Sequence, residues 1–336
     1  MYTEVARPQQ LSAVELDDYL ARGWYRMRQA LFTCRFVTHA GRLVPAIWTR
    51  SRLEGLQPTR NQRKRLARIR NRYAMSIGEV VLGEEHEALY ARYREHVGGD
   101  RPEDLHHLLG AQPGIFRTHL LELRLDGELA AFSLFDRGER AVQSVAGIFD
   151  PDHHRDSLGL ATMLFEVEHA QQLGLEFHYA GYVLPGEPAM DYKLRVPQLE
   201  WWEPEGHRWR PIAELDDYVL PDRKLRQALS RAEDAAKASG VVTRLMPNPR
   251  FDLGAWNPAL ESCLGHPIVL ACRTSPREVL VVGYHLVQRA YEVLRCTPGT
   301  LQDASGDPTG ELVLVVRERL ARSRSPEFVA QALKRA

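Results

Sequence analysis

The chain has 336 residues, 44% hydrophobic and 26% charged, with 44 basic and 44 acidic side chains and a formal net charge of zero. This balance excludes a disordered or low-complexity chain, and its length suits two domains. Overall charge therefore predicts no nucleic-acid partner, although a local basic cluster still can. Cys34, Cys263, Cys272 and Cys296 form no C-x-x-C pair. No signal-like segment or bilayer-length apolar run occurs, so the sequence predicts a reduced, cytoplasmic protein.

The first element is a helix in "LSAVELDDYLARGWYRMR", where Ser12 and Glu15 form a capping box and Gly23 ends the run. An extended region follows through "FVTHAGRLVPAIW". Residues 58–73, "PTRNQRKRLARIRNRY", then carry Arg60, Arg63, Lys64, Arg65, Arg68, Arg70 and Arg72 without one acidic residue. Such a run is either a solvated helix face or a footprint for a phosphate backbone. It lacks the interleaved aromatics of single-strand binders and better suits a folded RNA recognised by shape. "EEHEALYARYREHV" predicts another helix, closed by Gly98 and Gly99.

Around Asp126-Gly127, "HLLELRLDGELAAFSLF" carries a strong hairpin signal. "AVQSVAGIF" predicts a third strand, residues 157–173 a helix capped by Asp156 or Ser157 and ended by Gly174, and "LEFHYAGYVL" a returning strand. Three antiparallel strands, a helix and a further strand define an α+β unit with the order of an acetyltransferase-like (GNAT) mixed sheet. Flanking it are an N-terminal helical and basic region over 1–100 and a C-terminal α/β extension over 223–336, with the core spanning 101–222. In the extension, "DRKLRQALSRAEDAAKASG" predicts a polar helix. "EVLVVGYHLVQRAYEVLRC" and "ELVLVVRERLARS" predict strands running into helices, and "TPGTLQDASGDPTG" a long loop.

Several constellations carry chemistry or resemble those that do. His153-His154 and His106-His107 lack the spacing and companion ligands of a zinc site, and we assign them to exposed turns with no metal. "RDSLGLA" places Ser157, Leu158 and Gly159 at a helix N-terminus, which can meet a phosphate. Only one glycine is present where a CoA cradle usually has two, so a plain helix cap is the competing reading. "AMDYKLRVPQLEWWEPEGHRW" sets Tyr192, Lys193 and Arg195 after the last strand, where the cations either pair with Glu187 or Asp191 or hold a carboxylate in a cleft. One of Trp201 and Trp202 is expected in the core.

In chain order these pieces resemble the arginyl-tRNA–protein transferase family, including its bacterial branch that moves leucine. The resemblance rests on "GWYRMRQALF", on "PTRNQRK" for the family's P-x-R-x-Q-R-R, and on "LYARY". It continues with Phe149-Asp150-Pro151 leading to Ser157-Leu158-Gly159, and then with Ala170 to Leu175. "YAGY" (Tyr179 to Tyr182), "AMDYK" (Ala189 to Lys193) and Pro197 complete it. The family's cysteine cluster is reduced to Cys34, and Ala189 stands where the family has lysine.

The resemblance implies a transferase that moves an amino acid, arginine or leucine, from charged tRNA to the α-amine of a protein, peptide or small molecule. It implies no cofactor, because the ester is already activated. Arg60, Arg63, Lys64 and Arg65 would meet tRNA phosphates, and Ser157, Leu158 and Gly159 the tRNA 3′ end. Tyr182, Tyr192 and Lys193 would form the reaction centre, with Lys193 or Arg195 holding an acidic acceptor. The alternatives are a CoA-dependent N-acetyltransferase on the same fold and a non-catalytic tRNA or peptide-terminus binder.

Overall fold

The computed structural model describes residues 2–99, 101–110, 114–216, 220–275, 277–302 and 308–336. The chain crosses four times between two units. One comprises Ala6–Thr33 and Ile47–Glu214, the other Met1–Val5, Cys34–Ala46 and Leu215–Ala336.

The first unit is built on an eight-stranded sheet. Its order is Arg208–Pro211, Leu199–Glu203, Ile47–Arg52, Phe177–Val183, Ala141–Phe149, Glu128–Arg137, Thr118–Leu125 and Ala74–Glu79. All neighbours are antiparallel except Ala141–Phe149 and Phe177–Val183, which run parallel. Parallel neighbours need a crossover, and the helix Leu158–Gln172 supplies it. Asp126 and Gly127 both take positive φ, 53° and 92°, as a two-residue hairpin of the primed type requires. From Leu129 to Asp136 every residue of the next strand is buried, with only Ser133 and Asp136 polar, and such a run needs cover on both sheet faces. The helix covers one face through Leu158, Ala161, Leu164 and Phe165, while Leu89, Tyr90 and Leu105 pack with Phe132 and Leu134 on the other side.

Ile47–Ser51 is buried although three of its five residues are polar. Thr49 donates to the Gly181 carbonyl at 2.8 Å, and Arg50 pairs with Glu200 at 2.7 Å while stacking 4.0 Å from the Phe177 ring. Trp201 and Trp202 are both buried, at 3% and 7% exposure, where one was expected in the core. A Cβ at Gly23 would lie 2.5 Å from the Trp202 ring, so the missing side chain there makes room for the indole. His153 is half-buried with its ring 5.9 Å from that of Tyr73, and His154 is exposed; both sit on the 3-10 turn Pro151–Asp156.

The second unit carries a five-stranded antiparallel sheet: Arg244–Pro247, Ile268–Ser275, Glu278–His285, Ala290–Gln302 and Pro308–Ser323. Helices Pro221–Ala238 and Pro326–Arg335 bring Leu225, Leu229 and Val329 into one cluster with Leu280, Val282 and Val293 of the sheet. This corrects the expected strand-into-helix segments. Residues 278–302 form a hairpin whose turn closes at His285 and Ala290, and 308–323 is strand throughout. Tyr291 and Val293 face the helices while Leu294 and Cys296 join a separate cluster, so the run alternates with the two-residue period of a strand. The expected loop over 297–310 is strand at both ends, and its centre, 303–307, lies outside the described residues. Among the described residues no helix is long and apolar enough to cross a membrane.

Candidate active site

The two parallel strands pair only at Ala141–Phe177, Val142–His178 and Gln143–Tyr179 and then part, although each continues to Phe149 and Val183. Bulges at 144–146 and 179–181 mark the parting on each strand's outer ladder. Tyr25 occupies the gap: its hydroxyl donates to the Ser144 carbonyl and lies 3.4 Å from that of Tyr179. Burial raises the Tyr25 pKa well above a free phenol's, which keeps it a neutral donor. Gly181 permits this approach. Its φ is +87°, and a Cβ there would sit 3.2 Å from the Tyr25 ring and 3.4 Å from Lys193 Nζ.

Below the gap, His178 and Glu166 are fully buried and joined at 3.0 Å, with the Ser144 hydroxyl 3.4 Å from the other Glu166 oxygen. Gln143 is fully buried too, and neither of its amide atoms has a hydrogen-bond partner among the described residues.

After the last parallel strand the chain forms a 3-10 segment, Pro188–Arg195, that carries Tyr192, Lys193 and Arg195. Lys193 is half-buried. It donates to the Tyr182 carbonyl at 3.0 Å and lies 5.7 Å from the Tyr182 ring centroid. Burial, and then the nearby charge of Arg101, push its pKa down to about 8. Tyr192 packs against the core cluster that also receives Phe149, and burial raises its phenol well above the ordinary range. The Tyr93 ring meets Phe149 at 5.2 Å and carries the Arg101 guanidinium at 5.4 Å. Tyr182, Tyr192 and Lys193 are thus gathered beside the gap, whereas Arg195 is exposed on the same segment.

Ser157 adopts a left-handed conformation, with φ 54° and ψ 49°, and gives the following helix no side-chain cap. Leu158 is wholly buried. Gly159 presses on Phe149, which a Cβ would meet at 3.3 Å, and this contact ties the helix mouth to Tyr93 and Phe149.

Asp156, 8% exposed, anchors the basic helix Arg60–Arg72 to the same place. Its carboxylate accepts from Arg72 at 2.6 Å and from Tyr73 at 2.7 Å, with Arg68 at 3.4 Å; Arg70 pairs with Glu168. Three of the seven cations therefore have acidic partners elsewhere in the fold. Arg60, Arg63 and Lys64 are exposed near the other end and Arg65 is half-buried. Thr59 and Gln62 cap this helix reciprocally, and the Gln62 amide donates to the Arg195 carbonyl at 2.6 Å. The basic helix is thereby joined to the segment that holds Lys193.

Sequence reasoning assigned no role to Tyr25, Tyr93 or Arg101, although the first two lie in the "GWYRM" and "LYARY" stretches that carried the resemblance. Nothing local marks a phenol that will fill a gap between strands more than a hundred residues away.

An antiparallel run, a parting parallel pair and a crossover helix define an acetyltransferase-like transferase fold, with a half-buried lysine and tyrosines at the parting. Comparison with known proteins narrows the class. A family model for the C terminus of arginine-tRNA-protein transferase matches residues 85–203. The aspartate/glutamate leucyltransferase of Chromobacterium violaceum is 31% identical over 217 residues, covering 63% of this chain and 87% of that protein. Those of Leptospira interrogans (31% over 175 residues, 49% of this chain, 66% of that protein) and Paramagnetospirillum magneticum (37% over 135 residues, 38% and 54%) also match. Among solved structures, a GCN5-related N-acetyltransferase from Kribbella flavida aligns at 15% identity over 52% of this chain and 55% of that one, with a TM-score of 0.29. The chain belongs to the arginine-tRNA–protein transferase family and is an aminoacyl-tRNA-dependent transferase.

Proposed function

We propose that this enzyme transfers leucine from charged tRNA, in the cytoplasm where that donor is made, to acceptors with an N-terminal aspartate or glutamate. The relatives' names as aspartate/glutamate leucyltransferases support the donor and the acceptor. The observation that carries the mechanism is Lys193, held at the parting of the strands with a pKa of about 8.

An α-amine has a pKa of about 8, so proton exchange between it and Lys193 is nearly thermoneutral near neutral pH. The neutral amine attacks the ester carbonyl, forming a C–N bond, and the bond to the tRNA 3′ oxygen breaks. Lys193 takes the amine proton and returns it to the departing oxygen. Tyr182 and Tyr192 donate from their phenols to the developing oxyanion, and burial keeps the Tyr192 phenol protonated. Arg195 meets the acceptor's acidic side chain, the turn from Ser157 to Gly159 meets the tRNA 3′ end, and Arg60, Arg63, Lys64 and Arg65 meet its phosphates. This chemistry needs alignment and one proton carrier, with no cofactor.

The test is mass spectrometry of a peptide library, varied at the first residue, after incubation with total charged tRNA. Addition of a leucyl mass to peptides beginning with Asp or Glu is the expected result. Addition of arginine or choice of other N-termini overturns the specificity. Acetylation from acetyl-CoA with no tRNA-dependent product favours the CoA reading, and tRNA binding without transfer favours a binder.

A further inference from the structure

The second unit holds a polar cluster that the transfer reaction does not use. His266 lies just before the strand Ile268–Ser275, His285 ends the strand Glu278–His285, and Glu292 lies in the strand Ala290–Gln302. One oxygen of Glu292 meets His266 Nε2 at 2.6 Å and His285 Nε2 at 3.1 Å, and the two imidazole centroids are 4.8 Å apart. His266 and Glu292 are 3% and 7% exposed, while His285 is half-buried and leaves an approach from solvent. Gly283 makes the arrangement possible, because a Cβ there would lie 2.4 Å from His266 Nε2.

We propose that His266, His285 and Glu292 bind one divalent cation of the zinc class. Two imidazoles and a carboxylate are the ligand set such ions take, and three protein ligands leave one position for water on the His285 side. Their ligand atoms already lie within 4.8 Å of one another. Tetrahedral zinc holds its nitrogen and oxygen ligands roughly 3.3 Å apart, so the Glu292 carboxylate has to withdraw by less than about 1 Å. Metal binding requires each Nε2 to offer a lone pair, with the proton on Nδ1. The buried Nδ1 of His266 has no hydrogen-bond partner among the described residues that would oppose this tautomer.

The two other groupings of similar residues lack this character. Glu122 is already held by Arg124 and Ser76 as well as His86. Asp104 caps a short helix beside two exposed histidines. In contrast, the cation nearest Glu292 among the described pairs is Arg319, at 4.0 Å from the other oxygen. The three ligands lie 19 and 7 positions apart on separate strands and a loop, so no local spacing betrays them, and the sequence predicted no metal.

The experiment titrates the untagged full chain, stripped by chelator, with Co2+ and Zn2+, with Mg2+ as the oxygen-preferring control. One equivalent of Co2+ should bind with tetrahedral visible absorption and be displaced by Zn2+, and Mg2+ should not compete. His285→Ala and Glu292→Gln should each weaken binding by at least the roughly 10–100-fold that loss of an outer-sphere partner costs. X-ray absorption of the cobalt-loaded wild-type chain should count two imidazoles, a readout that does not depend on whether a variant folds. Absence of saturable binding, binding untouched by both substitutions, or a site with fewer than two imidazoles overturns the proposal and leaves a hydrogen-bonded triad.

Discussion

Lys193 gives the sharpest test, because one substitution should move stability and activity in opposite directions. Folding lowers its pKa from 10.5 to about 8. At about 1.4 kcal/mol per unit, the charged side chain costs the folded state about 3 kcal/mol at neutral pH. Lys193→Met keeps the apolar stem and removes the charge, while the Tyr182 carbonyl loses a donor worth about 1–2 kcal/mol. The variant should therefore be about 1–2 kcal/mol more stable at pH 7.

The sign with pH follows from the depressed pKa. Between about 8 and 10.5 the unfolded chain binds the proton that the folded chain has released, so wild-type stability rises with pH there. The variant's advantage is full below about 8 and fades toward 10.5. Urea unfolding followed by tryptophan fluorescence, from pH 6.5 to 10.5, measures this, since five of the six tryptophans lie in the transferase unit. Transfer should fall about 10²–10⁴-fold, the usual contribution of a proton-transfer group. A variant that is less stable at pH 7, or whose advantage does not change with pH, refutes a desolvated lysine; one that keeps its turnover removes Lys193 from the reaction.

Two further outcomes follow from geometry. Replacing Arg60, Arg63 and Lys64 together by alanine should weaken tRNA binding and flatten the slope of log affinity against log salt by roughly two to three, measured by filter binding at several salt concentrations; an unchanged slope would make these cations a solvated face. Gly181→Ala places a Cβ 3.2 Å from Tyr25 at a φ of +87°, and should lower stability by about 1–3 kcal/mol with a larger proportional loss of kcat than of tRNA affinity.

The legible parts of the fold were those that local chemistry decides. Asp126-Gly127 announces its hairpin because positive φ is needed at both positions, and Ser12 with Glu15 announces a helix start. The strand Ile47–Arg52 hid because Thr49, Arg50 and Ser51 are polar, and their burial depends on partners that arrive from residues 177–203. Residues 278–302 misled because their apolar positions fit a helical stripe as well as a strand until the turn at 286–289 is known. At the candidate site, Tyr182, Tyr192 and Lys193 came from an ordered resemblance, and the fold brings them beside one gap. The pairing of Asp156 with Arg68, Arg72 and Tyr73 was invisible, because the carboxylates that balance the basic run are about ninety positions downstream.

Ile47–Arg52 lies between Phe177–Val183 and Leu199–Glu203 in the middle of the sheet, and Tyr25 plugs the parting from still earlier in the chain. The stretch 85–203 that the family model spans is therefore not a separable module. Excised alone it would expose a seam of unpaired backbone along both neighbouring strands and leave the gap without its plug. Insertions between residues 34 and 46, or beyond 215, can accumulate without breaking that seam, whereas the N-terminal stretch has to travel with the catalytic core through any rearrangement of the gene.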